Sequence, residues 1–441
     1  MKFVIERSKE DLYSNSGLAL VGTLIKKSGL APRIDQIDPK KSAKDVYPSS
    51  DIAKTMTALL TMAKTDFDDI IPFRSDKFFV KTLNLLREKV PSSPTLRQRL
   101  DIAPAEWDEA VLISNAQLLK ECANIKPHSS GYVLLSYDVS PMDNSDSHKE
   151  GVSWTYKNFN GFAPMFAHLG GNGNMINLEF RKGSAHSQCP GTNIFYRKTI
   201  QLAKQIVPGE KILCLSDSGN DDIDNIKECR AEGADFIFKR NLRQESKEDW
   251  LGVAQDYGQA QELRPGKMEY SGRLTVEVKR LEEPVDIVFR VIERTIDGQG
   301  QLFLTPEIEV ETYWVSLKFD PHKVIELYHL RGTFEQYHSE FKTDMDMERL
   351  PSGYFATNTR VMFLGMLAYN ILRIIEQSAM EFAGYSCNFK KGIGRRRIKS
   401  VIQDLIYLAC RMVFRSNRWR ILLGARCLYY ETFRGIYYRW T

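Results

Sequence analysis

The stretch YHLRGTFEQYHSEFK, residues 328–342, sets Tyr328, Arg331, Glu335 and Lys342 at steps of three, four and seven residues. On a helix turning about 100° per residue, the four fall within a sector of about 60°. A carboxylate flanked by cations can hold a metal ion beside an anionic substrate. The same face also suits a plain exposed helix with paired charges. Leu330, Phe334, Tyr337 and Phe341 form a neighbouring apolar stripe, so the segment reads as an amphipathic helix that packs by that stripe.

Two further carboxylates stand where chemistry collects. Asp138 closes the β-rich run GYVLLSYDVSPM, and Asp217 closes KILCLSDSGND. In open sheets covered by helices, sites form beyond such strand ends. Asp138, Asp217 and Glu335 converging from strand, strand and helix would make a hard oxygen site of the kind Mg²⁺ prefers. Two such ions can clamp an in-line phosphoryl displacement. Beside them Arg331 can grip a phosphate oxygen pair, and Lys342 can act as a point charge on a neighbouring phosphate. Tyr328 can donate a hydrogen bond to the backbone or stack on a displaced base. Asp221, Asp222 and Asp224 read as charges at a helix N-terminus. His148, His186, His329 and His338 read as surface or polar-core residues, and Trp154 and Trp314 as core.

The elements that must position these residues follow from patterning. Residues 1 to about 125 look helical, through SDIAKTMTALLTMAKTD, DKFFVKTLNLLREK and PSSPTLRQRLD. In the last, Ser93 reads as a cap and Pro94 as the first helical residue, followed by Arg97 and Arg99. A short capped helix with arginines fits a helix-turn-helix reader of DNA or a plain helical bundle. From about residue 130 the order is three strands, helix, strand, helix, strand, which implies a mixed sheet covered by helices. Residues 245–318 read as β-rich with no helical period.

Composition bounds the class. The 441 residues suffice for two or three domains, with 43% hydrophobic and 27% charged residues as in soluble globular proteins. There is no apolar run of about 18 residues, so no transmembrane helix and no membrane partner are expected. The N-terminus MKFVIERSKEDLYSNSG carries charges where a signal peptide needs an apolar core. Seven scattered cysteines without a C-x-x-C pair point to a reducing cytoplasm and to neither a zinc site nor a disulfide framework. The net charge of +5 is uneven: from Lys390 to Thr441 thirteen Lys or Arg stand against Asp404 and Glu431. Aromatics such as Trp419, Tyr430 and Trp440 are interleaved there. Basic plus aromatic suits nucleic acid, and an Arg-rich helical subdomain with an aromatic core is the alternative.

The spacing Y-(2)-R-(3)-E-(6)-K at residues 328–342 resembles the signature of DDE transposases from bacterial insertion sequences. YDVSPMDNSDSHKEGVSWTYKNFNGFAPMFAHLG, LSDSGND, ADFIFKRN and ATNTRVMFLGMLAYNILR resemble the insertion-sequence 1380 type. The resemblance implies an α/β fold, with an RNase H-like catalytic core interrupted by a β-rich insertion before the last catalytic helix. The chain then divides into a helical DNA-end-binding domain (1–125), a first core part (126–245), the β-rich insertion (246–318), a last core part (319–385) and a basic helical C-terminal region (386–441). The resemblance implies Asp138, Asp217 and Glu335 as catalytic metal ligands for two Mg²⁺ ions, with Mn²⁺ able to substitute. It makes Tyr328, Arg331 and Lys342 DNA contacts, joined by Arg97 and Arg99 of the N-terminal helix. The implied partners are transposon-end inverted-repeat DNA, target DNA and a second copy of the chain on DNA, in the nucleoid of a bacterial cytoplasm. The implied activity is cut-and-paste transposition. The alternatives are a lapsed, DNA-binding descendant and an RNase H-like nuclease without strand transfer.

Overall fold

The computed structural model describes residues 1–7, 10–38, 47–86, 88–382 and 395–441. Cys387, Lys390, Lys391 and the expected boundary at 385/386 lie outside the described residues. The N-terminal part is helical, apart from the short strand β1 (Leu12–Tyr13). Its helices are α1 (Leu18–Ser28), α2 (Leu30–Ile37), α3 (Ser49–Leu60), α4 (Lys77–Thr82), α5 (Ser93–Asp101) and α6 (Glu106–Cys122). The cap of α5 is Ser92, whose hydroxyl accepts from the Thr95 N–H, so Ser93 is already helical and Pro94 is its second residue. The DKFFVKTLNLLREK segment forms only the six-residue α4, because the chain turns at Asn84 and Glu88 through left-handed backbone.

The central sheet contains β2 (Tyr132–Val139), β6 (Met165–Leu169), β7 (Asn174–Glu179), β8 (Lys211–Ser216) and β9 (Asp235–Lys239). Between β2 and β6, three short strands, β3 (Met142–Asp143), β4 (Ser153–Trp154) and β5 (Asn160–Phe162), form a small sheet of their own. Helix α7 (Thr192–Ile206) joins β7 to β8, and α8 (Ile223–Ala231) joins β8 to β9, which is the expected order of elements. The spatial order is β7-β6-β2-β8-β9, with β2 parallel to β8, β8 parallel to β9 and the β7–β6–β2 meander antiparallel.

The segment after β9 opens with a helix, α9 (Lys247–Tyr257), capped by Ser246. It then gives β10 (Gln259–Arg264), β11 (Lys267–Val276), β12 (Val285–Ile296) and β13 (Leu302–Val315). Strand β13 pairs with β9, so β10–β13 continue the central sheet, which has nine strands among the described residues. The helix escaped the sequence reading because its buried residues, Trp250 and Ala254, make too narrow a stripe to set a period.

Two apolar clusters lie on opposite faces of this sheet. One runs without interruption from Leu18 to Ile436 and includes Val133, Leu135 and Tyr137 of β2. It is organised around α12 (Phe355–Ala379), most of whose residues are buried. The other gathers Leu134, Leu213, Leu215 and Ile237 beneath α10 (Pro321–His329) and α11 (Phe334–Ser339). Helices α6 and α12 are locked to β7 by a buried amide clamp. The Asn370 amide donates to the Met175 carbonyl at 2.6 Å and to Asn115 Oδ1 at 2.7 Å, while its oxygen accepts from the Met175 N–H at 3.0 Å. A complete set of buried amide partners fixes one register between helix and sheet.

The C-terminal region is not wholly helical. After a short helix at Ile398–Val401 it forms the hairpin β14 (Cys410–Arg415) and β15 (Arg418–Leu423), which pairs with β1, and only then α13 (Tyr430–Trp440). The run CRMVFRSNRWRILL has strand periodicity, and Ser416 and Asn417 supply the two left-handed residues of a tight hairpin turn. Arginine abundance had obscured that alternation. Among the described residues, no helix is long and apolar enough to cross a membrane.

Candidate active site

Strand periodicity aims two of the carboxylates. Along β2, Leu134 faces the α10–α11 side, and a period of two puts Asp138 on that face. Along β8, Leu213 and Leu215 face the same way, and Asp217 follows in step. The strands are parallel with Tyr137 beside Ser216, so Asp138 and Asp217 emerge as neighbours. Asp217 sits just after β8, where a tight turn begins, and Asn220 Nδ2 donates to its Oδ1 at 2.7 Å. That contact gives Asn220 a structural task that its residue type did not announce.

The third carboxylate comes from the segment 328–342. It is helical throughout but changes pitch: α10 ends at His329, a 3-10 turn covers Leu330–Thr333, α11 follows, and a π-turn covers Glu340–Asp344. Gly332 and Thr333 lower helix propensity at the tight turn, where the Thr333 hydroxyl donates to the Leu330 carbonyl at 2.8 Å. Phe334, Tyr337 and Phe341 are buried as the apolar stripe requires. Arg331, Glu335 and Lys342 line one cleft with Asp138 and Asp217.

Tyr328 packs its ring inward, with its hydroxyl still within electrostatic reach of Arg331, Asp217 and Asp138. It is buried, with its ring centroid 4.7 Å from that of Tyr313, and burial pushes its hydroxyl up to about 12. The ring face is therefore not offered to a displaced base. Arg97 and Arg99 stand apart from the cleft on α5. Arg97 is exposed, whereas Arg99 donates to the Tyr47 carbonyl at 3.1 Å and to Ser49 Oγ at 2.7 Å, holding α3 and α5 together.

The cleft's electrostatics centre on Arg331. Its Nη2 lies 2.6 Å from Asp138 Oδ1 and 3.7 Å from Asp217 Oδ2, so one cation serves both carboxylates. Burial works against the guanidinium charge, yet the two carboxylates hold its pKa above the ordinary value. Burial pushes the Asp138 carboxyl up to about 6; Arg331 pulls it down, while Asp217 and Glu335 push it further up. Glu335 is exposed to the cleft and forms no hydrogen bond or ion pair among the described residues. Lys342 donates to the Pro141 carbonyl at 2.5 Å and lies 3.6 Å from Glu348.

Two cleft residues were weighed differently or missed in the sequence. His338 lies beneath the carboxylates, with Nε2 3.4 Å from Asp138 Oδ2. Burial holds it well below its ordinary pKa, helped by neighbouring His168, Arg331 and Lys342. Among the described residues neither of its ring nitrogens has a hydrogen-bond partner, nor does Arg331 Nε. Tyr156 closes the rim by donating to the Val139 carbonyl at 2.9 Å; burial, then Asp138 and Asp217, push its hydroxyl up to about 12. Nothing in WTYKNF distinguishes that tyrosine before folding. Of the other candidates, Asp222 caps α8, while Asp221 accepts from the Trp314 indole at 2.8 Å and joins the core instead.

The donor set fits a hard divalent ion. Asp138 and Asp217 already share one cation, and Asp138, Asp217 and Glu335 against Arg331 leave a local charge of about −2. As placed, no three acidic, His or Cys side chains among the described residues are close enough together to hold a metal ion. The Arg331 guanidinium lies between the Asp138 and Asp217 carboxylates.

The sequence matches the family model described as Transposase DDE domain group 1 over residues 2–440. No curated protein matches the chain. Among solved structures it is similar to the cryo-EM structure of the piggyBac transposase synaptic complex with hairpin DNA. The identity is 12% and the TM-score 0.43, over 89% of this chain and 80% of that one.

Proposed function

Because the chain belongs to the Transposase DDE domain group 1 family, we propose that it is a cut-and-paste DNA transposase whose catalytic carboxylates are Asp138, Asp217 and Glu335. The observation that carries this reading is their shared cleft: two strand-end aspartates in adjacent register and a glutamate on the facing helix, with Arg331 and Lys342 beside them. The strand order, with a three-stranded antiparallel meander followed by two parallel strands, supports an RNase H-like core. The residues at 328–342 support the insertion-sequence 1380 type and a bacterial origin, and hence DNA of the nucleoid as substrate.

Asp138, Asp217 and Glu335 would hold divalent ions, Mg²⁺ or Mn²⁺, which supply Lewis-acid stabilisation of the charge that develops on the phosphate. The chain's own residues orient the DNA. Arg331, released from the carboxylates, is poised to grip a phosphate oxygen pair, and Lys342 a neighbouring phosphate. Neutral His338 and Tyr156 close the floor and rim of the cleft and limit water. In the first step water attacks the phosphodiester at an element end, and one P–O bond forms as another breaks to free a 3′-hydroxyl. That hydroxyl then attacks a target phosphodiester in a second one-for-one exchange. Two ends must be served together, so two copies of the chain are expected on DNA.

The Arg331 guanidinium lodged between Asp138 and Asp217 favours one alternative, a DNA-binding descendant in which catalysis has lapsed. One experiment separates the readings. Purified protein, Mg²⁺, a labelled duplex carrying the element's terminal inverted repeat and a target plasmid are combined. Nicking at the end followed by joining, both lost in Glu335→Gln, supports the transposase; tight end binding with no nicking under Mg²⁺ or Mn²⁺ supports the lapsed form. Cutting by an Asp138→Ala, Asp217→Ala, Glu335→Ala protein as fast as by the parent would overturn the site assignment.

A further inference from the structure

The β14–β15 hairpin carries a charged face that the cleft does not use. Residues paired directly across an antiparallel ladder share a face. The register pairs Cys410 with Leu423, Met412 with Ile421 and Phe414 with Trp419 on one side. It pairs Arg411 with Leu422, Val413 with Arg420 and Arg415 with Arg418 on the other. The first face is anchored, since Cys410, Met412, Ile421 and Leu423 pack against the main core. The second face presents four arginines. Arg411 is paired with Glu10 at 2.9 Å. Arg415, Arg418 and Arg420 are exposed and have no hydrogen-bond or ion-pair partner among the described residues.

Ser416 at φ +52° and Asn417 at φ +58° form a two-residue turn whose twist matches that of the flanking strands. Phe414 and Trp419, with centroids 5.0 Å apart, brace the tip on the uncharged side. The hairpin also meets the N-terminal helices: Lys81 Nζ of α4 lies 5.9 Å from the Trp419 ring centroid, and strand β1 extends the small sheet. An anchored base, a fixed turn and three unpaired arginines on one face are what a polyanion surface requires.

We propose that the β14–β15 hairpin is a duplex-DNA contact that lays Arg415, Arg418 and Arg420 along the major groove against its phosphates. A B-form major groove, about 12 Å wide, admits a two-stranded β-ribbon, whereas the major groove of A-form RNA is too narrow for side chains to read. The choice of DNA over another polyanion rests on the transposase reading; the charge and shape of the ribbon do not. The hairpin thereby supplies a DNA grip that Arg99, spent on packing α3 to α5, does not.

The test uses the full chain and a short labelled DNA duplex of arbitrary sequence, without divalent metal, over a series of salt concentrations. Arg415→Gln, Arg418→Gln and Arg420→Gln combined should weaken binding about 10- to 100-fold at low salt. The slope of log affinity against log salt should become shallower by about 2 to 3, since each lost phosphate contact removes about 0.9. The matching triple Lys variant should bind with the parent's slope. Unchanged affinity and slope in the Gln variant would overturn the proposal, as would a Lys variant that binds as poorly as the Gln variant. So would a Gln variant that changes self-association in sedimentation but not DNA binding. Because no cleavage is read, the two readings fail separately: a parent that never cuts DNA but loses duplex binding with these arginines keeps the hairpin assignment and loses the transposase.

Discussion

Glu335 and Glu340 lie little more than one helical turn apart on the same segment, and the protein treats them in opposite ways. Glu335 faces the cleft with no cation of its own, beside Asp138 and Asp217, which share Arg331. Glu340 points into the core and is surrounded. Arg395 Nη1 lies 2.5 Å from its Oε1, as an ion pair without hydrogen-bond alignment, and Arg373 Nη1 lies 3.6 Å from its Oε2. Arg373 also reaches Glu376 at 3.2 Å and donates to the Arg396 carbonyl at 2.9 Å. Two glutamates and two arginines balance in charge behind the helix, while in front three carboxylates face one arginine. A buried ionic cluster is tolerable only when its charges are matched. On the proposed function the mismatch in front is where an external cation would act, and the balance behind ties the π-turn to Arg373 and Arg395.

The sharpest way to break this contrast is to neutralise one acid on each side. Asp138→Asn should reduce end cutting by about 100- to 1,000-fold, as loss of one principal electrostatic group does. Duplex binding should stay within a few-fold and the fold should remain intact by circular dichroism. If cutting persists, the front carboxylates are not the catalytic ones. Glu340→Gln should do the reverse. It leaves Arg373 and Arg395 short of charge in the core, at a cost of about 3 kcal/mol, the low end for breaking a buried pair because Glu376 remains. The measurement is the urea midpoint, and an unchanged midpoint would mean the rear cluster is not the anchor described.

Arg331 tests the front region from the cation side. Arg331→Met removes the ion that now separates Asp138 from Asp217. Mn²⁺ binding to the DNA-free protein, followed by calorimetry, should tighten about tenfold, or about 1.4 kcal/mol. End cutting should still fall, because the phosphate grip is lost with the guanidinium. Weaker Mn²⁺ binding in this variant would show that Arg331 organises the carboxylates instead of competing for them.

The contrast also explains what could be read before folding. The order of strands and helices around Asp138 and Asp217 was legible, because strand periodicity and the αβ alternation are local properties. The apolar stripe Phe334, Tyr337, Phe341 was legible for the same reason. The pitch change at Leu330–Thr333 was not, nor was the burial of the Tyr328 ring against Tyr313. A helical wheel assumes one pitch, and nothing in the local sequence beyond Gly332 announces another. The use of Arg99 on Tyr47 and Ser49 depends on partners about fifty residues away in sequence. So does the rear cluster, where Glu340 finds Arg373 and Arg395 through tertiary packing alone. The C-terminal hairpin was legible in principle from its alternation, but charge content outweighed period in the reading.

Asp108, in the first turn of α6, offers the smallest version of the comparison, since it is a half-buried acid outside the cleft whose nearest influential charge is Arg360. Its Oδ1 has no hydrogen-bond partner among the described residues. Burial pushes its carboxyl up to about 7, with Arg360 pulling the other way. The unfolded value is near 3.8, so the folded state holds the proton more tightly. Stability from this group is therefore fully present below about pH 4, declines as pH rises towards 7, and is gone above it. The full shift would correspond to about 4 kcal/mol. Part of that is offset, because the site is not fully buried and a carboxylate in a helix's first turn is favoured by about 0.5 kcal/mol. Asp108→Asn should thus raise unfolding stability by about 1–2 kcal/mol at pH 8 and by nothing measurable at pH 4. Paired denaturation curves at the two pH values read the difference. An equal gain at both would assign the effect to packing, and a loss at pH 8 would mean that the Arg360 charge outweighs burial at this site.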